Sequence, residues 1–144
     1  MYRVLMAVDG DDGRLDAQLR TLGDLPGRDE LAVTVLYVHE EIDVPADEAG
    51  RSIIDAINED IESLQGVPET VGRAVSELEA LDVPTDSATA RGDPVPSILD
   101  AAAELDADAI LVAARTRSPV GKAVFGSVTQ GVILDGDRPV FVAK

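Results

Sequence analysis

Two stretches of this 144-residue chain are apolar along nearly their whole length: residues 31–38 (LAVTVLYV) and 109–114 (AILVAA). A strand with no polar side is buried on both faces, the situation inside a parallel sheet covered by helices. Shorter runs at 2–8 (YRVLMAV) and 139–143 (PVFVA) also read as strands. Residues 84–90 make a weaker one, whose hydroxyl and acidic side chains suit a sheet edge.

The segments between these runs carry helical spacing. A turn over 9–13 precedes a helix at about 14–24, with Leu15, Leu19 and Leu22 on one face and Gly23 and Pro26-Gly27 closing it. After an acidic loop at 40–50, Ile53, Ile54, Ile57, Ile61 and Leu64 form one helical face. Gly66-Val67-Pro68 breaks it, and Val71, Ala74, Val75, Leu78 and Leu81 form the next. Asp93 can cap a further helix, with Pro94 at its first position and Val95, Ile98, Leu99, Ala102 and Leu105 on its buried face. A last helix over 127–135 stops at Gly136. Five strands alternating with helices predict a single α/β domain over residues 1–144, with a parallel sheet and helices on both faces. In such a sheet, ligands sit outside the carboxyl ends of the strands, where the chain reverses its winding direction.

Composition narrows the function. A 45% hydrophobic content excludes general disorder, and no apolar run approaches the ~20 residues of a membrane span. The start, Met1-Tyr2-Arg3, leads straight into a strand, so a cytoplasmic protein is expected. Cysteine is absent, which excludes disulfide and thiolate chemistry, and His39 is the single histidine. It reads as a surface residue at a strand end. Acidic residues number 28 against 12 basic ones, for a net charge of −16, and the lysines are Lys122 and Lys144 alone. Such self-repulsion is relieved where the Debye length falls to ~3 Å at about 1 M salt, as in a saline cytoplasm. Nucleic acid and anionic membranes are disfavoured partners, because they require a basic surface.

Against this background the stretch 109–130 (AILVAARTRSPVGKAVFGSVTQ) stands out. It runs from strand to polar loop to a helix start at Gly126-Ser127, with Ser127 expected as N-cap and Gln130 completing a capping box. Arg115, Arg117 and Lys122 bring cations to the loop, and Thr116, Ser118 and Ser127 bring hydroxyls. A helix start offers free N–H groups and the positive end of the dipole. Together these predict an anion site, most simply for the phosphates of a nucleotide. The competing reading pairs the arginines with the chain's many carboxylates.

The same stretch resembles the C-terminal signature of the universal stress protein family, an apolar strand running into Gly-x2-Gly-x9-Gly-Ser/Thr, then a helix and a final strand. The last pair falls on Gly126-Ser127, while Ala113 and Thr116 stand at the first two glycine positions. Ala113 is a mild change. Thr116 is severer, since β-branched residues seldom adopt φ > 0, so the backbone differs there or the loop is reshaped.

The resemblance implies a Rossmann-like, adenine nucleotide alpha hydrolase-like sheet in the order 3-2-1-4-5, with the ligand between strands one and four. It implies ATP or AMP as cofactor, with or without Mg on the phosphates. The nucleotide-binding positions it marks are Ala7, Asp9, Gly10, Val38, Gly92, Ala113, Arg115, Thr116, Arg117, Gly126, Ser127 and Val128. Turn-forming roles for Asp9 and Gly92 are equally open. No catalytic base and no metal ligand from the protein is evident. The apolar edge Val140, Phe141 and Val142 is expected to pair with a second copy, as is common in the family. Two functions follow: a nucleotide-binding stress-response protein with slow or absent hydrolysis, or a nucleotide-independent regulatory dimer that has lost ATP binding.

Overall fold

The computed structural model describes residues 1–40, 67–114, 116–117, 123–124 and 126–144. The helix expected over 53–64 and the loop over 40–50 lie, apart from Glu40, outside the described residues. The elements are β1 (Tyr2–Val8), α1 (Asp12–Asp24), a 3-10 turn (Arg28–Glu30), β2 (Leu31–His39), α2 (Glu69–Ala80) and β3 (Thr85–Arg91). They continue with α3 (Pro94–Glu104), β4 (Ala109–Ala113), β5 (Thr116–Arg117), β6 (Ala123–Val124), α4 (Ser127–Asp135) and β7 (Val140–Ala143). The main sheet is parallel in the order β3-β2-β1-β4-β7, which is 3-2-1-4-5 for its five strands. The polar β3 lies at one edge, as its composition requires.

The period-two alternation of the strands splits the interior into two layers. Val4, Met6, Val8, Val33, Val35 and Leu111 face one way and pack with Leu15 and Leu22 of α1 and Val71, Ala74 and Leu78 of α2. Leu5, Leu36, Ile110 and Val112 face the other way, against Ile98 and Ala102 of α3 and Val132 of α4. On the first side, Arg73 of α2 pairs with Asp12 and Asp16 of α1 and with Glu77, clamping the two helices at the surface. On the second side, a Cβ built on Gly131 of α4 would lie 2.6 Å from Cγ2 of Val95, so only glycine permits this close approach to α3.

Helix ends account for most departures from the sequence expectation. α1 begins at Asp12, because the Asp11 carboxylate accepts from the Arg14 N–H at 2.8 Å and caps the helix two residues early. Asp93 occupies the N-cap of α3 but makes no capping side-chain bond. Ser127, expected as N-cap of α4, is its first helical residue; Gly126 is the cap, so no capping box forms. Gly136 ends α4 with φ −85°, hence without a left-handed turn.

Leu81 and Leu105, both expected on buried faces, are 36% and 38% exposed. Each is a C-cap followed by an aspartate at positive φ, Asp82 at 61° and Asp106 at 54°. In both, the aspartate N–H bonds back to the carbonyl of residue 79 or 103. The next N–H bonds to the carbonyl of residue 78 or 102. This is a Schellman ending with aspartate where glycine is usual. The buried pairs Val83–Leu78 and Ala107–Ala102 close it.

Left-handed backbone is tolerated by aspartate better than by alanine. Asp82→Ala and Asp106→Ala are therefore expected to cost about 1–2 kcal/mol each relative to Asp→Gly at the same sites. Urea unfolding of the variant pairs measures the difference, and equal midpoints for alanine and glycine would contradict it.

Candidate functional site

β1 stays bonded to β2 as far as Val8↔Tyr37, but its ladder with β4 ends at Met6↔Leu111. Beyond that point the two strands part, and a cavity of about 490 Å³ opens at their carboxyl ends. Its volume is in the range of small-molecule sites. Ala7, Asp9 and Gly10 from the end of β1, Val38 of β2, Ala113 of β4 and Gly126, Ser127 and Val128 at the start of α4 all contribute to its wall.

The cavity has two characters. Ala7, Leu36, Val38, Ile98, Val112 and Val128 belong to the layer packed under α3 and α4, and make one side apolar. The α1 side carries Asp9, Arg14 and Gln18. At the α4 end, Gly126, Ser127, Val128 and Thr129 line the cavity, and the helix start has no side-chain cap among the described residues. Thr129 fixes this helix start: its buried hydroxyl donates to the Ala113 carbonyl at 2.9 Å, tying α4 to the end of β4.

Asp9 is held on several sides. One carboxylate oxygen accepts from the Asp11 N–H at 2.9 Å, and the other from Arg14 Nε at 2.7 Å. Its backbone carbonyl accepts from the Thr70 hydroxyl at 2.6 Å. Asp9 is thus both a turn former and part of the cavity wall. Gln18 is 2% exposed, and its amide donates to the Ala7 carbonyl at 2.7 Å and toward the Leu111 carbonyl at 3.4 Å. These are carbonyls on either side of the split, so one side-chain amide bridges the two strands where their mutual ladder has ended.

A family model for universal stress proteins matches residues 1–144. The chain belongs to the universal stress protein family. It is 27% identical over 162 aligned positions to the stress response protein NhaX of Bacillus subtilis, covering 99% of this chain and 97% of that one. A universal stress protein of Archaeoglobus fulgidus is 29% identical, with a TM-score of 0.71 over 100% of this chain and 99% of that one. A structure of the Archaeoglobus fulgidus protein in complex with dAMP is 26% identical, with a TM-score of 0.68 over 100% and 98% of the two chains.

Of the positions marked by the family pattern, Ala7, Asp9, Gly10, Val38, Ala113, Gly126, Ser127 and Val128 converge on the cavity of this universal stress protein. Gly92 does not line it. At φ 126° it turns the chain and donates its N–H to the His39 carbonyl, while Pro94 and Ile98 beyond it reach the wall. Thr116 and Arg117 form β5, whose backbone pairs antiparallel with β6. Thr116 has no positive φ; the only non-glycine residues with one among those described are Asp82 and Asp106. The backbone therefore departs from a glycine-type turn. Arg115, Ser118, Gly121 and Lys122 lie outside the described residues.

His39, the last residue of β2, is half-buried: its Nε2 is sealed from solvent without a hydrogen-bond partner among the described residues, and its ring meets Tyr37 edge-on at 4.7 Å. Sequence reasoning missed Arg14, Gln18 and Thr129. Gln18 did carry a signal, a polar residue at helical spacing between Leu15 and Leu22. Replacing it by methionine keeps the volume and removes the donor. Gln18→Met is expected to cost about 1–3 kcal/mol in urea unfolding; an unchanged midpoint would mean that the strand ends do not need this amide.

Proposed function

We propose that this universal stress protein binds an adenine nucleotide, ATP or AMP, in the cavity between β1 and β4. The observation that carries the reading is the start of α4, without a side-chain cap among the described residues, lining a cavity with one apolar side. An adenine ring suits the apolar side, and phosphate suits N–H groups at a helix start with its dipole. Relatives of the same fold have been solved with dAMP, with cAMP and, in Arabidopsis thaliana, with AMP. Mg would be carried by the phosphates. Ser127, at the first helical position, sets its hydroxyl beside the phosphate, and Asp9 stands near the sugar. With no nucleophile and base positioned together among the described residues, the reading is of a sensor of the nucleotide rather than a catalyst.

Calorimetric titration of ATP and AMP at molar salt with magnesium tests this. Saturable binding of one nucleotide per chain is expected. Ser127→Ala and Arg117→Ala each weaken it about three- to tenfold, roughly the loss of one hydrogen bond. Absence of heat, with no thermal shift at millimolar nucleotide, would overturn the reading. Unchanged affinity in both variants would place the phosphate elsewhere.

A second reading, a regulatory dimer independent of nucleotide, is favoured by Thr116 and by the apolar surface near β7. The strand Val140, Phe141 and Val142 is paired on one side only among the described residues, and Ile133 and Leu134 of α4 are exposed. Pairing of β7 with a second copy would cover this edge. Size-exclusion chromatography with light scattering in high salt is expected to give twice the 15.1 kDa chain mass. A monomer across micromolar concentrations would exclude the dimer and leave the nucleotide reading to the titration.

A further inference from the structure

We propose that Arg14 is a phosphate-binding side chain of the cavity, held in reserve by Asp9 and released toward the ligand when nucleotide binds. The proposal rests on the nucleotide reading and extends it to the α1 wall, which the glycine signature does not include.

Arg14 is the one cation among the described residues that line the cavity, where the other charged groups are Asp9 and Glu40. Its side chain is 24% exposed, so its charge is less screened than that of a fully solvated arginine. Its bonding is incomplete. Nε donates to Asp9 at 2.7 Å, while the Asp11 carboxylate, 4.0 Å from Nη1, is beyond hydrogen-bond reach. Both terminal NH2 groups are therefore unspent among the described residues.

Arg73 shows what an arginine of the same helical layer does when its task is structural. Its Nε meets Glu77, one terminal nitrogen meets Asp12, and the other meets Asp16. In a chain of net charge −16, acceptors are plentiful. An arginine that faces a cavity with its fork open is placed to receive an acceptor that arrives from outside.

The chemistry of the fork selects phosphate. Two terminal N–H groups side by side match two oxygens of one phosphate, and charge-assisted bonds of this kind are the strong ones. The wall also explains the resting state. Without Arg14, Asp9 and Glu40 would repel an anion; with Arg14 paired to Asp9 through Nε alone, the local charge is partly cancelled while the fork stays free. A phosphate that engages the fork competes with Asp9 for the same guanidinium.

The test compares AMP with adenosine, whose affinity ratio isolates the phosphate. Both ligands are titrated into the wild type, Arg14→Gln and Asp9→Asn, with thermal melts to check folding. Arg14→Gln is expected to lower the AMP-to-adenosine affinity ratio about tenfold, the effect of one charge-assisted hydrogen bond. Asp9→Asn is expected to raise the ratio, because Arg14 loses its resting partner; this arm decides the matter if Arg14→Gln does not fold.

If Arg14→Gln weakens both ligands by the same factor, or neither, Arg14 shapes the wall and does not hold phosphate; the proposal is overturned and nucleotide binding stands. A ratio that falls or stays level in Asp9→Asn overturns it too. A wild type that binds neither ligand at millimolar concentration removes the nucleotide reading itself, and this proposal with it.

Discussion

The site depends on a single break in backbone pairing. β1 and β4 are neighbours through three register pairs and then separate after Met6↔Leu111, while β1 keeps its bonds to β2 for two residues more. A buried strand end that loses its ladder leaves carbonyls without donors, which costs free energy unless something replaces them. Here the amide of Gln18 reaches from α1 to the carbonyls of Ala7 and Leu111. Burying that amide in an otherwise apolar face of α1 is unfavourable for the helix taken alone. It becomes favourable only because the crevice exists. The crevice in turn admits the start of α4 from the other layer, where Thr129 ties that helix to Ala113. Strand separation, buried amide and anchored helix start therefore stand or fall together.

Charge sets the conditions under which such a site works. With net charge −16, long-range attraction of a polyanion is unfavourable, and molar salt would screen both this repulsion and any steering. What survives screening is contact inside a crevice, where donors are part of the wall. The wall has that form. Among the described residues, the start of α4 has no side-chain cap, and Arg14 is bound through Nε to Asp9. The surface arginines differ: Arg73 is saturated by carboxylates, and Arg138 is tied to the Ala107 carbonyl and Asp137.

Much of the fold was legible because the strands declare themselves. Residues 31–38 and 109–114 are apolar on both sides, and only interior parallel strands require that. The polar run at 84–90 belongs at an edge, and β3 is found there. The helix ends were less legible. Leu81 and Leu105 continue a helical period in sequence, yet the chain stops at each through an aspartate in the left-handed region, where a glycine would have announced the stop. The cavity wall was legible at strand ends and the helix start, at Ala7, Val38, Ala113 and Gly126–Val128. It was illegible where a side chain reaches across layers. That Gln18 meets two strand ends, or that Arg14 meets Asp9, follows from the parting of β1 and β4 and has no counterpart in spacing along the chain.

Thr116 raises the sharpest conflict between sequence and family pattern, and its geometry bears on both functional readings. A glycine there would serve by turning with positive φ and letting backbone approach a phosphate closely. Thr116 instead lies in extended backbone, paired with Val124 in the short β5–β6 ladder. The substitution is therefore absorbed by a change of path and not by strain, so it gives no energetic reason for the loop to refold around a ligand. A phosphate in this cavity would rely less on that loop than the glycine pattern implies. Among the described residues, the donors at hand for it would be those of the α4 start and of the α1 wall. They meet in one crevice because Gln18 allows β1 and β4 to part there. Loss of a glycine is thus not equivalent to loss of the site, since binding through a helix terminus needs room at Gly126 and not flexibility at position 116.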